Sequence, residues 1–260
     1  MAVSRRTLDN LYRRYNRRDL VHPDPLEFLY AWEDVRDREV VGLVASSLAF
    51  GKVASILASV REALGRLPCR PRDVAGVDPA ALGRAYEGFV HRFARGRDMA
   101  AMIAAAGRAI RVHGSLEASF AAGLGIEDVT VLPASRAFSS FLHGRSGRGC
   151  GFLIPVPGGG SACTRLCLYR RWRVRRDEVD PGGWDRVDPR LLVVPLDTHM
   201  LRIGRRLGFT GRRAADARAA LEVTAGFRRL APRDPARWDF CLTRPGIWGD
   251  MILHHKDPPS

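Results

Sequence analysis

Lysine is almost missing from this chain: of its 42 basic residues only Lys52 and Lys256 are lysines, and the rest are arginines. Acidic residues are also few, 28 against 42, which leaves a formal net charge of +14 over 260 residues. Cysteines number five (Cys69, Cys150, Cys163, Cys167 and Cys241). An odd, sparse set does not make a disulfide framework, and a reduced compartment is the expectation. No apolar run approaches the roughly 20 residues that a membrane-spanning helix requires. Met1 to Asp19 is polar and arginine-rich with no apolar signal core, so a cytoplasmic protein is expected, with nucleoid association when nucleic acid is bound.

What is present is ordinary in bulk and unusual in charge. Hydrophobic residues at 46% and charged residues at 27% suit a folded globular chain and are too apolar for a disordered one. A GC-rich coding sequence accounts for arginine in place of lysine but not for the excess of positive charge. That excess gives a positive surface potential and points to a polyanion such as nucleic acid. Charge alone does not separate DNA from RNA.

Hydrophobic periodicity predicts an all-α fold. Helices are expected over Arg5–Arg18, from Pro25, over Asp37–Phe50 (apolar on most sides, hence buried), Val53–Leu67, Pro79–Phe93, Asp98–His113 with Asp98 as cap, Ser115–Ala122, Val131–Leu142, Ser161–Arg175, from Asp197 or Thr198 to Leu207, Ala214–Phe227 and Asp234–Leu242. The best strand signal, Leu191–Leu196, runs straight into a helix cap.

Two segments carry the chemistry. In Phe152–Leu168, FLIPVPGGGSACTRLCL, a glycine-rich turn precedes a helix start. The N–H groups of Gly158, Gly160 and Ser161 would then lie unobstructed at the positive end of that helix, an anion site in principle, with Arg165 nearby. By itself the turn is equally an ordinary helix cap. In Val194–Thr210, VPLDTHMLRIGRRLGFT, Asp197 stands at the head of a basic helix carrying Arg202, Arg205 and Arg206. Taken alone, Asp197 is an N-cap, worth about 1 kcal/mol. The densest basic cluster is Arg170, Arg171, Arg173, Arg175 and Arg176, with Trp172 inside it as either core or a base-stacking wall.

Together these segments resemble the helix-hairpin-helix (HhH-GPD) DNA glycosylase superfamily, the endonuclease III-like proteins. Leu196-Asp197-Thr198-His199-Met200-Leu201-Arg202 and Arg206-Leu207-Gly208 match its Asp-Thr-His stretch, and Val156-Pro157-Gly158-Gly159-Gly160 resembles its hairpin. Glu39–Val53 is similar to the family's buried helix that ends in a DNA-facing loop, which places Lys52 there. The closest likeness is to a bacterial branch, and the resemblance assigns that branch no substrate.

The resemblance implies a two-lobed helical fold. One lobe would be built from residues 1–30 and 196–260, the other from 31–195 with the hairpin, and a base pocket would lie between them. It implies an N-glycosylase that flips a damaged or modified base out of double-stranded DNA. Asp197 is the implied catalytic carboxylate, stabilising positive charge on the sugar and orienting water. Gly158, Gly160, Ser161, Arg165, Thr198, His199, Arg202 and Lys52 are the implied DNA contacts. Trp172, Arg92 and Phe93 are the implied base-pocket residues. The hairpin has no Schiff-base lysine, since Ser161, Ala162, Cys163 and Thr164 fill those positions, so a monofunctional enzyme is expected. Only Cys241 follows Asp197, so no iron–sulfur cluster is expected. No zinc spacing is present, and His254-His255 reads as a solvated pair rather than a metal site. No cofactor is implied. The alternative is a non-catalytic DNA-binding protein that keeps the hairpin for phosphate contact.

Overall fold

The structure is a computed structural model, and it describes residues 3–144 and 150–247. His254, His255 and Lys256 lie outside the described residues. The fold is mostly helical, as expected. Among the described residues the only paired strands are a two-residue hairpin, β1 (Val90–His91) with β2 (Ala94–Arg95).

The first half is organised around α2 (Val35–Ser47). Asp34 caps it by accepting from Arg36 N, and Val40, Val41, Leu43 and Val44 are buried on several sides of it, as its all-round apolar character requires. Against it pack a 3-10 turn at Pro25–Ala31, a second at Pro71–Gly76, α3 (Val53–Gly65), α6 (Leu116–Ala121) and α8 (Thr164–Val174). Glu39 of α2 is buried and does a cap's work for α6. Its carboxylate accepts from Leu116 N at 3.1 Å, Glu117 N at 2.8 Å and Trp184 Nε1 at 2.9 Å. Beyond α4 (Pro79–Ala85), α5 (Gly96–His113) packs on α4, α6 and α7 (Leu132–His143). The chain then continues through α9 (Thr198–Arg206), α10 (Ala217–Leu230) and α11 (Asp239–Ile247). α9 packs on α10 and α11, and α11 packs on α1 (Arg5–Tyr15). No described helix is long and apolar enough to cross a membrane.

Several boundaries differ from the sequence expectation, each for a local reason. The helix from Pro79 stops at Ala85, because Gly88 and Arg92 take positive φ (74° and 51°) to make the hairpin. Asp98 does not cap α5. It sits in the first turn and accepts from Arg95 N at 2.8 Å, one half of a capping box. Asp234 starts no helix, because its carboxylate is held by Arg175 at 2.9 Å, and α11 opens at Asp239. Pro25–Ala31 packs on α2. Between α7 and α8 the described residues 150–163 form no helix.

The densest arginine cluster is not a surface. Arg170, Arg171, Arg173 and Arg175 are buried, and only Arg176 is exposed. Arg171 Nε bonds Asp180 at 3.2 Å and its Nη1 bonds Asp239. Arg175 bonds Asp177 at 2.6 Å, Asp234 at 2.9 Å and Asp180. Buried guanidinium groups are tolerated when they are paired, and Arg171 and Arg175 are structural cations of that kind. Arg170 and Arg173 have no carboxylate partner among the described residues and bond Cys167 Sγ and Val35 O.

Candidate functional site

Leu192, Val193, Val194 and Leu196 form an extended buried run that leads into α9. Val194 N donates to Thr224 Oγ1 at 3.0 Å, which ties the run to α10, and the Thr164 hydroxyl donates to Leu196 O, which ties it to the start of α8. The residue that follows, Asp197, is exposed and caps α9, its Oδ1 accepting from Met200 N at 2.7 Å. One side-chain oxygen is therefore held and the other remains available.

Asp197 lines an open cavity of about 150 Å³. Trp172, Thr164 and Ile56 share its wall with four further charged residues, Asp24, Arg171, Asp239 and Arg244. Asp239 is buried, and burial pushes its carboxyl up to about 6. Arg171 pulls it down, and the negative charges of Asp197 and Asp180 push it further up. Arg244 is buried and donates from Nε to Leu20 O. Its Nη1 lies 3.8 Å from Asp24 Oδ2, and neither Nη atom makes a hydrogen bond. The wall thus holds three carboxyl groups and two guanidinium groups, and burial raises Asp24 as it raises Asp239.

Trp172 is a core residue, 1% exposed, and it also lines this cavity. Thr198, His199 and Arg202 are all exposed on the first turns of α9, beside Asp197. The glycine turn needs correcting. α8 begins at Thr164, with Cys163 as the preceding cap, so Gly158, Gly160 and Ser161 are not at its positive end. Ser161 instead pairs with Asp216, and Gly160 O accepts from Ala217 N at 2.8 Å. Arg136 Nε donates to Pro157 O at 3.1 Å, and its guanidinium stands 2.5 Å from where a Cβ on Gly158 would lie. Gly158 and Ser161 line a different, larger groove of about 720 Å³ between α7 and α10.

Arg165 needs a similar correction. Its Nη1 and Nη2 donate to Ser47 O at 2.8 Å, Leu153 O at 3.3 Å and Phe152 O at 2.7 Å, and burial pulls its pKa down to about 10. It fastens the end of α2 and the Phe152–Leu153 segment to α8, so its fork is engaged with backbone carbonyls. Arg92 and Phe93 are exposed and do not line the Asp197 cavity. They stand on the β1–β2 hairpin, where Gly51 packs against Arg92 Cδ, and Lys52, also exposed, is next in the chain. Ala49 of the same loop lines the cavity, so this surface and the cavity share a rim.

Sequence reasoning missed Asp24, Arg171, Asp239 and Arg244 as cavity residues. They come from three distant segments, the last of which, α11, carries both Asp239 and Arg244. The one local signal is a charge embedded in apolar neighbours, Trp238-Asp239-Phe240, which marks a buried carboxylate needing a partner.

A sequence family described as "Protein of unknown function (DUF2400)" matches residues 24–248. The chain belongs to that family. No curated protein and no solved structure matches the chain. The matched span reaches from Asp24 to beyond Arg244, so it contains every residue of the cavity, while α1 lies outside it.

Proposed function

We propose that this protein is a monofunctional DNA glycosylase that hydrolyses the N-glycosidic bond of a damaged or modified base. The observation that carries the reading is Asp197, an exposed helix-cap carboxylate on the wall of a cavity shared with Trp172. At about 150 Å³ the cavity has room for one ring system and lies well below the roughly 300–1,000 Å³ of drug-sized sites. A base turned out of the helix would enter beside Trp172 while its sugar stays at the mouth, near Asp197. As the bond to the base lengthens, positive charge grows on the sugar. The carboxylate stabilises that charge and orients the attacking water. Asp239, behind Asp197 and anchored by Arg171, adds negative charge to the same wall.

The partner in this reading is double-stranded DNA, held by exposed cations: Arg202, Arg205 and Arg206 on α9, and Lys52, three residues after the cavity-lining Ala49. Contacts of this kind give position and salt-dependent affinity rather than base recognition. The enzyme would then be nucleoid-associated when bound. The alternative of a non-catalytic DNA-binding protein leaves unexplained a carboxylate that lines an open cavity.

The test is base release from a panel of lesion-bearing duplexes. Asp197→Asn should cut release by about 10²–10³-fold or more, the scale of losing a preorganised electrostatic stabiliser, and leave duplex affinity unchanged. Release at the wild-type rate by that variant would remove Asp197 from the mechanism. Borohydride should trap no covalent enzyme–DNA adduct, because no lysine stands in residues 158–164.

A further inference from the structure

Four aromatic rings meet on the rim beside the cavity. Phe50 and His91 lie 4.6 Å apart, Phe50 and Phe152 5.2 Å, and Phe93 and Phe152 6.1 Å, all edge to face. Two of them are far from buried: Phe93 is 69% exposed and Phe152 52%. Val90, on the same hairpin, and Val53, beside Lys52, are exposed as well. Single exposed apolar residues need no explanation, but a contiguous aromatic group does.

The group is held rigidly. His91 is buried and bonds Ser59 Oγ through Nδ1 at 2.8 Å and Phe50 O through Nε2 at 3.0 Å. Arg165 lies over Phe50 at 5.0 Å and over Phe152 at 4.3 Å, with its Nη groups fixed to backbone carbonyls. Arg92 lies over Phe93 at 5.6 Å. The surrounding charge is cationic: Lys52, Arg92, Arg95 and Arg97 are exposed. The acid beside them, Asp98, is half-buried, accepts from Arg95 N and packs against Gly151.

Exposed phenylalanine rings fixed in place among arginines and a lysine form the chemistry that binds unpaired nucleobases. The rings stack on base faces and the cations follow the phosphates. We infer that the Phe50–Phe93–Phe152 surface is a stacking platform for unpaired bases of DNA. It lies beside the cavity, because Ala49 lines the cavity and Phe50 begins the platform. The inference rests on the DNA reading above and gives it a substrate class: DNA whose bases are unpaired next to the target, rather than uninterrupted duplex.

The experiment is fluorescence anisotropy at fixed salt with undamaged, labelled oligonucleotides: a single strand, its perfect duplex, the duplex with an internal bulge, and the RNA strand of the same sequence. Wild type should bind the single strand and the bulge more tightly than the perfect duplex. Phe93→Ala and Phe152→Ala should each weaken single-strand binding roughly ten-fold, the scale of one base–aromatic stack. Both should keep the wild-type salt slope and the wild-type melting temperature, since neither side chain is buried. Phe93→Trp should restore affinity. Arg92→Ala should instead lower the salt slope by about one. Unchanged single-strand affinity in both alanine variants, duplex bound as tightly as single strand, or tighter binding of the RNA strand would each overturn the assignment. Because no lesion is present, this binding result is independent of base release. Loss of the platform with release intact would leave the glycosylase reading standing, and the converse would leave the platform standing.

Discussion

Asp180 is the residue on which the buried arginines depend most. It is 0% exposed, it accepts from Arg171 Nε at 3.2 Å, and it pairs with Arg175 Nη1. Replacing Asp180 with alanine leaves two guanidinium groups in the interior with one carboxylate fewer between them. Removing one partner of a buried pair costs about 3–5 kcal/mol, because the remaining charge has lost its compensation. Here Arg171 keeps Asp239, and Arg175 keeps Asp177 at 2.6 Å and Asp234 at 2.9 Å, so the lower end, about 3 kcal/mol, applies. That is a large part of the roughly 5–15 kcal/mol by which a folded domain is stable. For a chain of this size it corresponds to a drop of about 6–12 °C in Tm. Urea unfolding followed by circular dichroism should show the midpoint shift with the slope unchanged. The internal control is Asp19→Ala, which breaks the Arg17–Asp19 pair between side chains that are 59% and 60% exposed and should cost less than about 1 kcal/mol. A loss in Asp180→Ala no larger than in Asp19→Ala would refute the view that this cluster holds the fold together.

Two further outcomes follow from the same structure. The carboxyl of Asp239 is pushed up from 3.8 to about 6 in the folded state, so between about pH 4 and pH 6 the native protein holds a proton there that the unfolded chain has already released. Its contribution to stability is full below about pH 4 and is lost as pH rises through about 6. Urea titrations across that range should show wild-type stability falling relative to Asp239→Asn, and a parallel pH dependence of the two would contradict this. Glycine substitutions should split by environment. A Cβ on Gly96 would stand 1.8 Å from Tyr86 O, so Gly96→Ala should destabilise by about 3 kcal/mol. Gly65, exposed at the end of α3 with nothing within 4 Å of a Cβ, should gain about 0.5–1 kcal/mol as alanine. Thermal melts decide both signs.

The basic character of the chain divides into two kinds of arginine that look alike in sequence. Arg171 and Arg175 form an interior network because Asp177, Asp180, Asp234 and Asp239 converge on them from three segments. Arg202, Arg205 and Arg206 stay on the surface because they occupy the outer face of an amphipathic α9, whose inner face buries Met200, Leu201 and Ile203. The run of arginines around Trp172 was the more conspicuous in sequence, and it is the one least available to a polyanion.

Local chemistry alone determined the helical class, the buried α2 and the cap at Asp197. Each depends on the period of apolar residues or on one side chain meeting the backbone three residues on. The tertiary structure decided where α8 starts, because Ser161 pairs with Asp216, more than fifty residues later, and so is drawn out of the helix. It decided the walls of the cavity, which bring Asp24, Arg171, Asp197 and the α11 residues Asp239 and Arg244 together from four segments. It also decided that Phe50, Phe93 and Phe152 share one surface. Contacts between residues far apart in the chain leave no periodicity and no spacing, so only the packing of helices on one another brings them into view.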